Sequence, residues 1–159
     1  MEHLFCFFPF LNEEKMKFRS EIEIERPIEE LLVLIQDPDV TLKWLEGLRS
    51  VKHVSGNLRQ PGSISNVVFD SPAGRMFITE TVISNELPEE YIMRYEGQGY
   101  VSYSNYSFEQ LSEGSTRFIM QQHVELKGAF KLATGLLKGT MNRQLEKSAE
   151  SFKRYAENQ

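Results

Sequence analysis

The chain has 159 residues, with 18 Lys and Arg against 23 Asp and Glu, which gives a formal net charge of −5 at pH 7. This length corresponds to one domain with a full hydrophobic core, so two independent domains are not expected. The acidic balance argues against a dedicated nucleic-acid-binding protein, because no excess of positive charge is available to meet a phosphate backbone.

Cysteine content and apolar runs narrow the class further. Cys6 is the single cysteine, so no intrachain disulfide can form, and the Cys and His spacing of a zinc site is missing. No apolar run reaches the about 18–20 residues that a membrane-spanning helix needs. We therefore expect a protein of the reducing cytoplasm that holds no metal and no other cofactor.

The first 15 residues are set apart by composition, because four of the 11 Phe of the chain fall within them. These four are Phe5, Phe7, Phe8 and Phe10. A signal peptide does not fit, since Glu2 stands where a basic residue is expected and Pro9 interrupts the apolar run. Two interpretations are favoured: a start codon set upstream of Met16, or a tail that packs on the body. A segment that contacts a membrane or a partner protein is a third.

Regular alternation of apolar and polar residues begins at Lys17 and predicts the first β-strand. Pro27 then stands at the first position of a short helix, whose apolar residues keep helical spacing up to Asp37. The Asp37-Pro38 pair interrupts this helix, and a second short helix ends near Gly47. The chain thus opens with one strand followed by two short helices.

Six further strands are predicted, because stretches rich in β-branched and aromatic residues alternate with turn sequences. The turns are QPGS at 60–63, PAGR at 72–75, the Leu87-Pro88 pair, Gly97 with Gly99, and SEGS at 112–115. This spacing is typical of an antiparallel meander, and no linker interrupts it.

A long amphipathic helix is predicted from about Gly128 to Tyr155. At ~1.5 Å per residue it is long enough to lie across a whole sheet. Gly135 and Gly139 each weaken it by roughly 1 kcal/mol relative to Ala, so its N-terminal third is expected to be its softest part.

An ordered set of motifs also carries a family resemblance. The set begins with EIEIERPIEELLVLIQDPDVTLKWLEGLRSV and continues with ELPEEYIMRYEG at 86–97, YSFEQL at 106–111 and GSTRF at 114–118. Over residues 17–157 the chain resembles the SRPBCC superfamily, the START and Bet v 1-like helix-grip domains, in its polyketide cyclase/dehydrase-like branch. The resemblance implies an α+β helix-grip fold, in which a curved seven-stranded antiparallel sheet wraps around the long C-terminal helix. It places two short helices between strands 1 and 2 and implies a cavity for an apolar or aromatic ligand between sheet and helix.

Strand alternation predicts which side chains face that cavity. Met120 and Gln122 belong to the apolar phase of the last strand, and Ser104 and Tyr106 share a phase in which small residues leave room for a ligand. Glu80 shares its phase with apolar neighbours, so its carboxylate is predicted to point inward. The phase of the fifth strand stays undecided. The predicted lining residues are Ile78, Glu80, Val82, Tyr95, Ser104, Tyr106, Phe108, Met120, Gln122, Phe130, Leu137 and Met141.

Purely structural roles stay open for several of these residues. Glu80 could pair with Arg75 or Arg94, and Gln122 could be a core residue whose hydrogen bonds are satisfied. Trp44 is expected to anchor the core.

Catalytic motifs are not evident in the sequence. The GxSxG, HExxH and Gly-rich phosphate-loop patterns are missing, so no catalytic residue is assigned. Glu80 with Tyr106 or Arg94 is the one set that acid–base chemistry could use. We therefore predict a carrier or sensor that binds a hydrophobic small molecule or lipid in the cavity. The alternatives are a cyclase or dehydratase-type enzyme and a partner-binding module, and a weak homodimer also stays open.

Overall fold

The computed structural model describes residues 16–71 and 74–159, and these form a helix-grip fold with a seven-stranded antiparallel sheet, as predicted. The elements are β1 (Met16–Ile24), α1 (Ile28–Gln36), α2 (Pro38–Trp44), β2 (Leu48–Ser55), β3 (Ile64–Ser71), β4 (Gly74–Glu86), β5 (Glu90–Gly97), β6 (Tyr100–Ser112), β7 (Ser115–Leu126), a 3₁₀-helical segment (Gly128–Ala133) and α3 (Thr134–Glu157). The interpretations of residues 1–15 concern a segment that lies outside the described residues.

The strand order across the sheet is β1-β7-β6-β5-β4-β3-β2. Strands β2 to β7 therefore form a meander in chain order, and β1 adds to the free edge of β7. Because β1 and β2 lie at opposite edges, the chain between them must cross from one side of the sheet to the other. Helices α1 and α2 make this crossing.

The boundary between the two short helices depends on one aspartate. The Asp37 carboxylate accepts hydrogen bonds from the backbone N–H groups of Asp39 (2.8 Å) and Val40 (3.4 Å), and so caps α2. Pro38 follows at the first helical position, where its missing N–H costs nothing. The predicted break at Asp37-Pro38 is therefore confirmed, with Asp37 ending α1 and capping α2.

The phase of the fifth strand follows from its register. Tyr91 pairs with Tyr106 and Met93 pairs with Ser104, so these side chains share the concave face with their partners on β6. Tyr91 and Met93 are fully buried in the core. Arg94 lies on the opposite face and makes its ion pair with Glu96.

Helix α3 packs against the sheet through its C-terminal half. Its buried residues are Leu145, Ser148, Ala149, Phe152 and Ala156. The helix starts at Thr134 rather than near Gly128, so the predicted start was wrong. The preceding residues form the 3₁₀-helical segment, in which no residue is buried and which the Lys127 N–H ties to the carbonyl of Gly99 (2.7 Å). Gly128, with φ of 58°, turns the chain into this segment.

Replacing Gly135 or Gly139 by Ala is expected to stabilise the protein by about 0.5–1 kcal/mol each. Both lie in α3, and apart from the adjoining residues and the backbone of the helix itself, no atom of the described residues is within 4 Å of the position that a Cβ atom would take. Gly47→Ala is the contrasting variant, because Gly47 has φ of 82° and its Cβ would lie 2.8 Å from the Asp70 carbonyl. It should destabilise by more than about 1 kcal/mol. Urea unfolding followed by circular dichroism measures all three, and a loss of stability in the α3 variants would contradict the expectation.

Candidate functional site

A cavity of about 140 Å³ lies between the concave face of the sheet and the middle turns of α3. It is partly open to solvent. The sheet contributes Phe69, Asp70, Ser71, Met76, Ile78, Tyr95, Tyr100, Ser102, Ser104, Tyr106, Met120 and Gln122, the loop after α2 contributes Leu45 and Glu46, and α3 contributes Met141, Gln144, Leu145 and Ser148. Tyrosine and methionine side chains thus form much of the wall.

The space exists because small side chains face inward where the helix stands away from the sheet. Ser102 and Ser104 are buried on the concave face of β6, in positions where larger residues would fill the gap. Two hydrogen bonds hold the helix side of the cavity to the loop after α2. The Gln144 amide donates to the Glu46 carbonyl (3.2 Å), and the Glu46 N–H donates to the Ser148 hydroxyl (3.4 Å).

Seven of the twelve residues predicted to line the cavity lie around it in the structure. They are Ile78, Tyr95, Ser104, Tyr106, Met120, Gln122 and Met141. Their contact with a ligand remains a prediction.

The other five lie elsewhere. Phe108 stacks on Phe118 (4.8 Å between ring centroids) in the closed part of the core, and Val82 is buried in that core. Phe130 lies outside the cavity, with its ring over Gly99, and Leu137 lies in the partly exposed first turns of α3. Glu80 is buried but is not part of the cavity wall. Alternation identifies the face that a side chain joins, but not where the helix covers that face.

Buried tyrosines give the wall its polar character. Burial raises the pKa of Tyr95 well above its usual value, and the Glu80 carboxylate adds to this effect. Burial, and then the charge of Glu80, likewise raises the pKa of Tyr106, and burial raises that of Tyr100. All three therefore stay protonated at neutral pH, and the wall combines aromatic rings with neutral hydroxyl groups.

Behind this wall lies a buried polar cluster formed by Arg59, Tyr91, Thr41 and Glu80. The sequence analysis did not identify Arg59 as a buried residue. Arg59 donates from Nη1 to the Tyr91 hydroxyl (3.0 Å) and from Nη2 to the Thr41 hydroxyl (3.2 Å), and the residue is only 8% exposed. Its backbone is left-handed, with φ of 64°, and the Asn85 amide donates to its carbonyl (2.8 Å). An arginine in the turn sequence GNLRQPGS has the pattern of a solvent-exposed residue, so no sequence signal marks it as buried.

Glu80 belongs to this cluster, and neither Arg75 nor Arg94, the partners that the sequence left open, pairs with it. Arg94 points to the other face of the sheet, and Arg75 pairs with Asp70. Burial raises the pKa of Glu80, while the positive charge of Arg59 and a hydrogen-bonding interaction with the Tyr95 hydroxyl lower it, so the net shift is upward. The Tyr95 hydroxyl also lies 3.3 Å from Met93 Sδ, which gives its single proton two acceptors.

Asp70, a partly exposed residue of the cavity wall, is paired with two arginines. The Asp70 carboxylate accepts from Arg49 Nε (2.6 Å) and from Arg75 Nε (3.3 Å), and so joins β2, β3 and β4. These hydrogen bonds hold the pKa of Asp70 below its usual value.

No helix in the described part of the chain is both long and apolar enough to span a membrane.

Comparison with families of known proteins gives one match. A family model described as polyketide cyclase / dehydrase and lipid transport matches residues 15–157. Comparison with the curated proteins finds no match.

Solved structures share this architecture. The Zhui aromatase/cyclase from Streptomyces sp. R1128 has a TM-score of 0.78 at 8% identity, over 91% of this chain and 94% of that one. A START superfamily protein from Mycobacterium smegmatis has a TM-score of 0.76 at 13% identity, over 89% of this chain and 97% of that one. A protein from Thermus thermophilus has a TM-score of 0.75 at 17% identity, over 89% and 97%. At such identities the likeness shows the fold alone.

Replacing Glu80 or Asp70 by its amide is expected to change the free energy of unfolding in opposite directions as pH rises. Because the folded-state pKa of Glu80 is raised, the protonated form is favoured, and the cost of ionising it appears as pH rises. Glu80→Gln should therefore gain stability relative to the wild type as pH rises above the ordinary range of a Glu carboxyl.

Asp70→Asn is the matched comparison. Because the pKa of Asp70 is lowered, its ionised form stabilises the fold above the ordinary Asp range and loses this effect as pH falls. This variant should be less stable than the wild type at neutral pH, with a difference that shrinks on acidification. Urea unfolding across the pH range measures both, and parallel pH dependence in the two variants would contradict the assignment.

Proposed function

Since the chain belongs to the polyketide cyclase/dehydrase and lipid transport family, within the SRPBCC superfamily, we propose that it binds a hydrophobic or aromatic small molecule, or a lipid, in the cavity between the sheet and α3. In this role the protein is a carrier or sensor rather than an enzyme.

The composition of the cavity wall is the observation that carries this proposal. The charged side chains among its described residues are the exposed Glu46 and the partly exposed Asp70, and the rest of the wall consists of aromatic, aliphatic, methionine and serine side chains with the amides of Gln122 and Gln144. Concave apolar walls with a few placed polar groups are the usual form of small-molecule sites. Such a wall binds apolar surface and orients it through hydroxyl groups.

The size of the cavity limits what can enter it. A volume of about 140 Å³ is close to the roughly 150 Å³ of an apolar cavity that accepts benzene. One aromatic ring or a short stretch of acyl chain therefore fits inside, and a longer ligand extends through the open side. Met120 and Met141 lie on opposite walls, and their flexible side chains can adapt to differing ligand shapes.

An enzyme of the cyclase or dehydratase type is the second candidate, and the placement of Tyr95 supports it. The Tyr95 side chain lines the cavity, and its hydroxyl interacts with the buried Glu80 carboxyl behind it. A tyrosine backed by a carboxylate can pass a proton to or from a bound carbonyl compound. Tyr95→Phe separates the two roles. An enzyme would lose turnover of a poly-β-ketone and still bind it, whereas a carrier would show no loss of water from that compound with either protein.

Filling the cavity should weaken ligand binding while the fold is retained. Ser104→Leu places a larger side chain in the inner wall, so the affinity for N-phenylnaphthylamine, an uncharged fluorescent aromatic, should fall about tenfold or more. The control is Ser50→Leu, the same change at an exposed position of β2. Equal affinity in the wild type and Ser104→Leu would overturn the proposed site, and native mass spectrometry of the purified protein tests for a copurified ligand.

A further inference from the structure

The segment that leads into α3 exposes apolar side chains to an unusual degree. Phe130 is 49% exposed, Leu132 is 92% exposed and Leu136 is 85% exposed. Phe130 and Leu132 belong to the 3₁₀-helical segment, and Leu136 to the first turn of α3. Three large exposed apolar side chains thus fall within seven consecutive residues, and exposed apolar patches of this kind mark interaction sites.

The charge of this region is opposite to that of the whole chain. Residues 127–145 contain Lys127, Lys131, Lys138 and Arg143 and no acidic residue, although the chain as a whole has a net charge of −5. Lys127, Lys131 and Lys138 are exposed. We call the three apolar residues and these three lysines the rim surface.

The rim surface lies beside residues that line the cavity. The ring of Phe130 covers Gly99 in the turn between β5 and β6, and the Lys127 N–H donates to the Gly99 carbonyl (2.7 Å). Tyr100 follows directly in this turn and lines the cavity, as does Met141 one turn after Lys138. Whatever the rim surface contacts is therefore brought close to the cavity wall at Tyr100 and Met141.

We propose that the rim surface binds anionic phospholipid bilayers. Leu132, Leu136 and the exposed part of Phe130 would enter the headgroup region, and the lysines would contact the phosphate and carboxylate groups of the lipids. Exposed apolar side chains combined with basic residues are what an interfacial segment requires, because each contribution alone binds weakly.

Charge complementarity favours this occupant over the others. A second copy of the chain, docked through the same face, would bring two sets of lysines together without an acidic partner in residues 127–145. A soluble polyanion would satisfy the lysines but leave the leucines in water. A bilayer that contains anionic lipids satisfies both groups at once, and this proposal does not depend on which ligand the cavity holds.

Vesicle sedimentation with the full chain tests the proposal. The protein should bind phosphatidylcholine vesicles that contain about 30% phosphatidylserine, bind vesicles of phosphatidylcholine alone much more weakly, and lose binding at high salt. The double variant Leu132→Ser/Leu136→Ser should lower the partition coefficient about tenfold or more, and Lys131→Gln/Lys138→Gln should do the same. Their matched controls are Val33→Ser, at a 71% exposed position of α1, and Lys52→Gln, at an exposed position of β2.

Each outcome bears on the proposal. Loss of vesicle binding in both double variants, with the controls and N-phenylnaphthylamine binding unchanged, supports it and separates it from the cavity. Unchanged vesicle binding in both double variants overturns it and assigns any membrane contact to another part of the chain. Loss with the lysine variant alone, with equal binding to heparin, also overturns it in favour of a polyanion site. A dimer in sedimentation equilibrium that the leucine variant dissociates would instead assign the face to a second copy.

Discussion

The packing of Phe152 against Phe118 is the contact on which the rest of the structure depends. The two rings lie 4.8 Å apart between centroids, and Phe152 also contacts Trp44 at 5.0 Å, so one buried side chain joins α3, β7 and α2. Hydrogen bonds hold the same end of the helix, from Lys153 Nζ to the Glu23 carbonyl (2.6 Å) and from Arg26 to the last residues of the chain. All these contacts involve the C-terminal part of α3, and the cavity lies next to them, between the curved sheet and the middle turns of the helix.

The buried polar cluster makes two charged residues, Arg59 and Glu80, depend on each other, which hydrophobic packing alone would not require. In the described part of the chain, the Arg59 guanidinium has two neutral hydroxyl partners and no carboxylate within 4.0 Å, and its Nε has no acceptor. A buried cation in this state costs free energy, which the more distant charge of Glu80 partly offsets. Glu80 is in turn kept from a larger upward shift in pKa by Arg59. The two residues therefore depend on each other across the core, although neither lines the cavity.

Local chemistry made most of the fold predictable from the sequence. Asp37-Pro38 favours a helix boundary, which the structure has, and the alternation around Glu80, Tyr106 and Gln122 predicts an inward phase that the structure also has. The site predictions that failed depended on how parts of the chain that are distant in sequence are placed in space. Phe108 and Phe130 follow the right pattern, yet one lies beyond the cavity in the closed core and the other lies outside it on the turn at Gly99. Arg59 was missed because turn composition gives no information on burial, which here is set by Thr41 and Tyr91 from distant parts of the chain.

The two parts of α3 thus contribute differently to the stability of the fold. Most charged groups, in turn, lie away from the cavity wall. The part from Leu145 onward buries Leu145, Phe152 and Ala156 and holds the fold together. The turns before Leu145 contain two glycines and no buried residue, so they contribute little stability. Charged groups lie behind the cavity wall at Arg59 and Glu80 or outside it at the lysines of the rim surface, and the charged residues of the described wall itself are the exposed Glu46 and the partly exposed Asp70. A ligand that enters therefore meets mainly rings, methyl groups, neutral hydroxyls and glutamine amides, and selection by shape and hydrogen bonding follows from that placement.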